Sequence, residues 1–308
     1  MSQSICIFGD VMLDVYVHCN PDRVSSEAPV IIAREVERSY APGGAANVAA
    51  SLTEGFGLPV KLAGFVGDDQ GKARLVQCLI AHGIDSDNLV TVDSWRTIEK
   101  TRFVDGLHRQ MLRVDTENPV TQPDPQAENL LGVRLSHLVN ICDTLIISDY
   151  AKGTCTPRLM RTVLGLFREA GKFIVANGKP QNFSMYAGAS VLILNYSEAV
   201  QAHKLYCQGE PYNGTDFVSL AGMLHKRLES DILITMGDKG MVWWSGNDFR
   251  VVPAIPVDVA DVTGAGDTVT ATIAAHGGIN PEILEQAAIN AAEVVGQHGS
   301  SLRQRRPQ

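Results

Sequence analysis

The chain has few cysteines, and none of them are grouped. Six in 308 residues, at positions 6, 19, 78, 142, 155 and 207, form no CxxC pair. A disulfide framework or a zinc site is therefore not expected. No secretory leader is read at the start, so a reducing cytoplasm is the expected setting. Long apolar runs are also missing. Asp10 and Asp14 interrupt the N-terminal hydrophobic segment, which excludes a bilayer span there. Positive charge is scarce as well: 26 Lys and Arg against 34 Asp and Glu give a net charge of −8, without long basic runs. A nucleic-acid-binding surface is not expected, and an anionic ligand has to be met by a local cluster. Repeats and low-complexity linkers are lacking, and only Arg303 to Gln308 reads as a disordered tail. What the chain does have is 45% hydrophobic residues, ample for the core of a large α/β domain or of two small ones.

Strand and helix patterns alternate. Short apolar runs at Ser4 to Phe8, Val60 to Phe65, Thr144 to Ser148, Phe173 to Ala176, Val191 to Leu194 and Ile232 to Thr235 read as buried parallel strands. Helical patterns between them include Ala45 to Thr53, Gly71 to Ala81, Pro157 to Ala170 and Phe217 to Leu228. The expectation is a doubly wound, mostly parallel α/β sheet flanked by helices. Trp243 and Phe249 flank a turn at Ser245 to Asn247 and suggest an antiparallel hairpin. Residues 11–39 and 95–115 break the alternation with period-2 stretches such as Val30 to Val36 and Thr97 to Val104. A small β-sheet lid assembled from these two insertions is expected, with edge strands of the main sheet as the alternative.

The most informative segment runs from Asp261 through Val262, Thr263, Gly264, Ala265 and Gly266 to Asp267. Its glycines let backbone N–H groups turn toward one point at the start of a helix, which makes a cradle for an anion. A carboxylate beside such a cradle suits a base that takes a proton from a hydroxyl attacking phosphorus. A helix-capping Asp is the alternative for this segment alone. A second group, Pro42 to Ala49, places Gly43 and Gly44 ahead of Asn47, whose amide can both donate to and accept from a polyol. Plain helix packing is its alternative. Asp10 and Asp14 follow the first strand at the carboxyl edge of the sheet, where they could bind sugar hydroxyls as a pair or, for Asp10, form a turn.

Together the early glycine pair and the late DxTGAGD resemble the two signatures of the ribokinase-like (PfkB) carbohydrate kinase family over nearly the whole chain. Within it, VSSEAPV (24–30), PGGAANVA (42–49), KTR (100–102), LRVD (112–115), SDYAKG (148–153) and DVTGAGDT (261–268) look like the bacterial D-glycero-β-D-manno-heptose-7-phosphate kinases of surface-sugar synthesis. These are often fused to a nucleotidyltransferase; the resemblance here is to the kinase domain. It implies a single kinase domain over 1–308 that uses ATP and Mg²⁺, and in some relatives a monovalent cation such as K⁺, and that dimerises through the lid. The implied product is heptose 1,7-bisphosphate. It also implies Asp267 as the base, with the amides of Ala265, Gly266 and Asp267 at the transferred phosphoryl group and Gly264 in the same catalytic turn.

By the same resemblance Asp14, Gly43, Gly44 and Asn47 contact the sugar, and Thr235, Gly237 and Gly240 lie on the nucleotide side. Asn195 and Glu198 fit an NxxE element that organises Mg²⁺ largely through water; without the family, Glu198 reads as a helix N-terminal acid. Asp261 and Thr263 could border the cation site or be structural. A substrate phosphate needs cations, for which Lys100, Arg102, Arg109, Arg113 and Lys152 are the candidates, with solvated surface charge as the alternative. Period-2 geometry puts Lys100 with Arg102, and Arg109 with Arg113, on common faces. One departure stands out. The usual Asp-Pro-Lys-Gly is here Asn177, Gly178, Lys179 and Pro180. A kinase for another sugar, sugar phosphate or nucleoside, and a weakly catalytic sugar- or nucleotide-binding regulator, stay open beside the heptose reading.

Overall fold

The computed structural model describes residues 3–296 apart from 108, 119–121, 260, 261 and 263. The first half of the chain contains β1 (Ile5–Gly9), β2 (Val11–Val24), β3 (Ile31–Gly44), α1 (Ala45–Phe56), β4 (Val60–Val66), α2 (Gln70–Ala81), β5 (Leu89–Thr91), β6 (Ile98–Val104), β7 (Gln110–Thr116), α3 (Pro125–Leu138) and β8 (Thr144–Ser148). There follow α4 (Pro157–Glu169), β9 (Phe173–Asn177), β10 (Val191–Asn195), α5 (Tyr196–Tyr206), α6 (Phe217–Leu228), β11 (Asp231–Thr235), β12 (Met241–Ser245), β13 (Asp248–Val252), α7 (Ala265–His276) and α8 (Pro281–Val295).

Nine strands form one sheet in the order β13-β12-β11-β10-β9-β8-β1-β4-β5, parallel from β11 to β5 and closed at one edge by the antiparallel β12–β13 hairpin. Both central strands, β1 and β8, are buried at every position, as strands covered on two faces must be. One cluster of buried residues lies around Phe167, Phe183 and Tyr186, and the other around Leu13, Leu52 and Leu62. Helix α4 shows how the covering layer is encoded. Thr156 caps it, Pro157 occupies its first turn, and Leu159, Met160, Val163, Leu164 and Phe167 recur on one face and are buried. Each such side chain contributes roughly 1.5–3 kcal/mol of burial free energy.

The doubly wound sheet expected from the alternation is present, and β8 and α6 coincide with their predicted ranges. The two irregular segments pair into a separate four-stranded sheet, β3-β2-β6-β7, in which β6 runs parallel to β2. It extends somewhat beyond the expected limits, to Gly44 and Thr116, because β3 continues to the start of α1. Only Asp10 separates β1 from β2, so the lid is rooted at the carboxyl edge of the main sheet. In the lid register Asp14 faces Lys100, Tyr16 faces Arg102, Arg102 faces Arg113 and Lys100 faces Asp115. Among the described residues no helix is long and apolar enough to cross a membrane.

From β1 the chain pairs on one side with β4 and on the other with β8. Their carboxyl ends therefore mark the topological switch point, where an open α/β sheet leaves a crevice for a ligand.

Candidate active site

Helix α7 begins at this edge. Gly264 caps it with φ 86°, a left-handed conformation that favours glycine. The N–H groups of Ala265, Gly266 and Asp267 have no partner within the helix, so the first turn presents donors and partial positive charge. A Cβ placed on Gly266 would meet nothing within 4 Å. The space in front of that turn is open.

Asp267 does not cap α7 with its side chain. Its Oδ2 accepts from the Asn47 amide at 2.6 Å and its Oδ1 from the Tyr150 hydroxyl at 3.0 Å. Burial pushes its carboxyl above the usual range, and both donors pull it back. Asp14 nearby opposes ionisation and Lys100 favours it. The Tyr150 phenol is itself pushed well up by burial and by the Asp267 charge, so it stays an O–H donor.

Asn47 reaches Asp267 because α1 starts at the end of β3. Gly44 there has φ 56°, and a Cβ on it would lie 2.4 Å from the Asp10 carbonyl. Only glycine fits that junction. Gly43 answers a different need, since its Cβ would stand 3.0 Å from the Asp14 carboxyl.

Asp14 is nearly buried and accepts from Arg102 Nη1 at 2.6 Å. The other candidate cations are also mostly paired. Arg113 grips Asp115 through Nε and Nη2 at 2.7 and 2.6 Å, and Lys152 reaches Glu117 at 2.5 Å. Lys100 is the exception: among the described residues it pairs with no carboxylate, and its ammonium sits 4.9 Å over the Tyr150 ring. Burial lowers its pKa. Arg109 corrects the expectation of a shared face with Arg113. It precedes β7 and folds back onto Asp105 at 2.8 Å, because β6 and β7 shift register at their turn.

Asp10 also departs from its expected sugar contact. Its carboxylate accepts the backbone N–H groups of Tyr150, Lys152 and Thr154 at 2.8, 3.0 and 3.1 Å. It pins the loop after β8, and burial beside Asp149 lifts its pKa to about 6. Asp149 in turn accepts from Asn182 at 2.7 Å and from the Tyr186 hydroxyl. Beyond this loop lies a cavity of about 310 Å³ of mixed lining, with Lys152, Glu117, Asn118 and Asn182 beside Pro157 and Met185.

On the other flank, Asn195 and Glu198 form a capping box on α5, each side chain bonding the other's backbone N–H at 2.9 and 3.0 Å. The helix-terminal role read from Glu198 alone is thus present. Its second oxygen accepts from Lys179 at 2.6 Å. Two oxygen-bearing side chains, both engaged, do not make a coordination sphere. They suit a magnesium ion that arrives on phosphate oxygens and keeps its water. Among the described residues no cluster of His, Cys, Asp and Glu could hold a metal by itself.

Thr235 ends β11, and Gly237 and Gly240 shape the turn after it. A Cβ on Gly240 would strike the Val252 carbonyl at 2.0 Å and the Ala254 nitrogen at 2.6 Å. That turn therefore packs directly on the segment Phe249–Pro256, which together with Glu285, Ala288 and Ile289 of α8 lines a cleft of about 610 Å³. Asp261 and Thr263 lie outside the described residues.

The unusual stretch has a local rationale. Asn177 donates to Thr270 Oγ1 of α7 at 3.2 Å, a neutral pairing under that helix. At Gly178 a Cβ would come within 2.7 Å of the Tyr186 ring. Sequence reasoning assigned no role to Tyr150 or Lys179, although both fall in segments it singled out. A tyrosine just past a strand end at the switch point was the available signal.

The pfkB family carbohydrate kinase profile matches residues 2–304. The bifunctional protein HldE of Gluconobacter oxydans is 34% identical over 273 residues, covering 88% of this chain and 56% of its own length. That of Caulobacter sp. strain K31 is 35% identical over 305 residues, covering 97% and 60%. The chain thus spans about three fifths of the length of these relatives. Among solved structures, Arabidopsis thaliana ribokinase complexed with ribose and ATP superposes with a TM-score of 0.72 at 18% identity, over 97% of this chain and 95% of that one. Escherichia coli phosphofructokinase-2 in complex with fructose-6-phosphate gives 0.75 at 14% identity, over 96% and 94%. At such identities the likeness is one of fold.

Proposed function

The chain belongs to the pfkB family of carbohydrate kinases, phosphotransferases acting on a sugar hydroxyl, and from that premise we propose that it phosphorylates the anomeric hydroxyl of D-glycero-D-manno-heptose 7-phosphate with ATP, giving heptose 1,7-bisphosphate and ADP. The observation that carries the reading is Asp267, held by Asn47 and Tyr150 at the open N-terminus of α7, with a lid of paired cations beside it.

The acceptor oxygen attacks the γ-phosphorus and the bond to the β-phosphate oxygen breaks. Asp267 takes the hydroxyl proton, while the first-turn amides of α7 stabilise charge on the transferring group. Asp14 and Asn47 bind hydroxyls, with Gly43 and Gly44 providing the approach. Lys100, Arg102, Arg113 and Lys152 meet the 7-phosphate, three of them by exchanging a carboxylate for it. Thr235, Gly237, Gly240 and the cleft behind them take the nucleotide. Magnesium, when bound, neutralises the nucleotide phosphates, with Asn195 and Glu198 organising it through water. A monovalent cation is proposed to assist, as in some relatives. The exposed Val24, Val30, Ile31, Val36 and Leu112 of the lid region support a homodimer built on it. Scattered free cysteines suit a cytoplasmic enzyme.

ADP release from Mg-ATP against a panel of sugars and sugar phosphates tests the proposal. Turnover confined to other acceptors would favour a related kinase, and no turnover with any acceptor would favour a regulatory binding protein. Replacing Arg113 or Lys152 by Ala is expected to raise the acceptor KM far more than the ATP KM. An equal effect on both would count against the phosphate assignment.

A further inference from the structure

Tyr150 is held from several sides. Asp10 fixes its backbone N–H at 2.8 Å. Two ammonium groups stand over its ring, Lys100 from the lid at 4.9 Å and Lys179 from the segment after β9 at 5.7 Å. Each such contact is favourable, and together they restrain the ring's plane. Its side chain's one polar group, the hydroxyl, donates to Oδ1 of Asp267.

With Asn47 on Oδ2 and Tyr150 on Oδ1, the Asp267 carboxylate cannot rotate without losing both bonds. Each oxygen still keeps a lone pair for an incoming proton. We infer that Tyr150 is the positioning residue of the base, fixing the orientation in which Asp267 meets the acceptor hydroxyl. The inference rests on the kinase reading above and deepens it, because it assigns the SDYAKG tyrosine a task in proton transfer rather than in packing. Charged groups facing Asp267 are Asp14 and Lys100 of the lid, and removal of the Tyr150 donor leaves their effects in place.

Tyr150→Phe removes one oxygen and keeps the ring. It is expected to lower kcat by roughly 10- to 100-fold, to leave the ATP KM within about twofold, and to move the acid limb of the kcat profile to higher pH. The last shift has a fixed sign, since the lost hydrogen bond favoured the charged carboxylate. A folded Y150F enzyme with unchanged kcat and acid limb would overturn the inference. Incorporation of 3,5-difluorotyrosine at position 150, which retains the hydroxyl as a stronger donor, should move the acid limb the other way, and an unmoved limb would likewise count against it. Carbon-13 titration of the Asp267 carboxyl in wild type and Y150F separates this inference from the assignment of the acceptor. A wild type inactive toward every acceptor defeats the proposed function, whereas a carboxyl titration unmoved by Y150F defeats the inference.

Discussion

The Asn47 side-chain amide donates to Oδ2 of Asp267 at 2.6 Å, joining the first turns of two helices whose residues stand 220 positions apart. The same amide that was expected to meet the sugar is thus spent on Asp267, the proposed base. Hydrogen bonds to a charged group contribute about 1.5–3 kcal/mol. Asn47→Ala should therefore lower kcat by roughly 10- to 150-fold. Burial raises the Asp267 pKa and Asn47 lowers it, so the variant's acid limb should lie at higher pH than wild type. A pH–rate series on both proteins checks the sign.

Glu198 separates a capping role from a metal role. Glutamine retains the capping-box geometry at that position but loses the charge and the ion pair with Lys179. Glu198→Gln should unfold within about 1 kcal/mol of wild type, yet need several-fold more magnesium for half-maximal turnover. An unchanged magnesium requirement would leave Glu198 as a helix cap alone.

The buried Asp10 makes stability depend on pH. Its folded pKa, about 6 against 3.8, is raised, so its contribution is fully present below 3.8 and is lost as pH rises through 6. The difference corresponds to on the order of 3 kcal/mol. Urea unfolding from pH 4 to 7.5 should show wild type losing stability relative to Asp10→Asn as the pH rises. Parallel curves for the two proteins would contradict the assignment.

Much of the architecture was legible because local patterns determine it. The apolar run Leu145, Ile146 and Ile147 of β8 and an amphipathic α6 require no knowledge of their neighbours. Residue types at the site were also legible, and Asp267, Asn47 and Asp14 do converge. Pairing was not. Whether Asp10 binds a hydroxyl or three amides depends on folding distant segments together, and Arg113 turns to Asp115 two residues along its own strand, a choice that residue type alone does not settle. Arg109 illustrates the limit from a shorter range, since one register shift at the β6–β7 turn takes it off the expected face. Tyr150 was hidden for the same reason: its partner lies 117 residues away.

The lid exposes Ile31 at 64% and Val36 at 62%, unusual for apolar strand residues left to water. If the proposed lid-mediated dimer forms, Ile31→Lys combined with Val36→Glu should convert it to a monomer in sedimentation velocity while leaving the main sheet intact by circular dichroism; a monomeric wild type would contradict the proposed dimer. A dimer that persists in the double variant would place its interface elsewhere.

The most direct test of the catalytic assignment is ADP release from Mg-ATP with D-glycero-D-manno-heptose 7-phosphate, run on wild type and Asp267→Asn, with the product identified by phosphorus-31 NMR. Wild type is expected to form the 1,7-bisphosphate, and the folded variant to be slower by roughly 10²- to 10⁴-fold. Equal rates in the two proteins would contradict the role of Asp267 as the base.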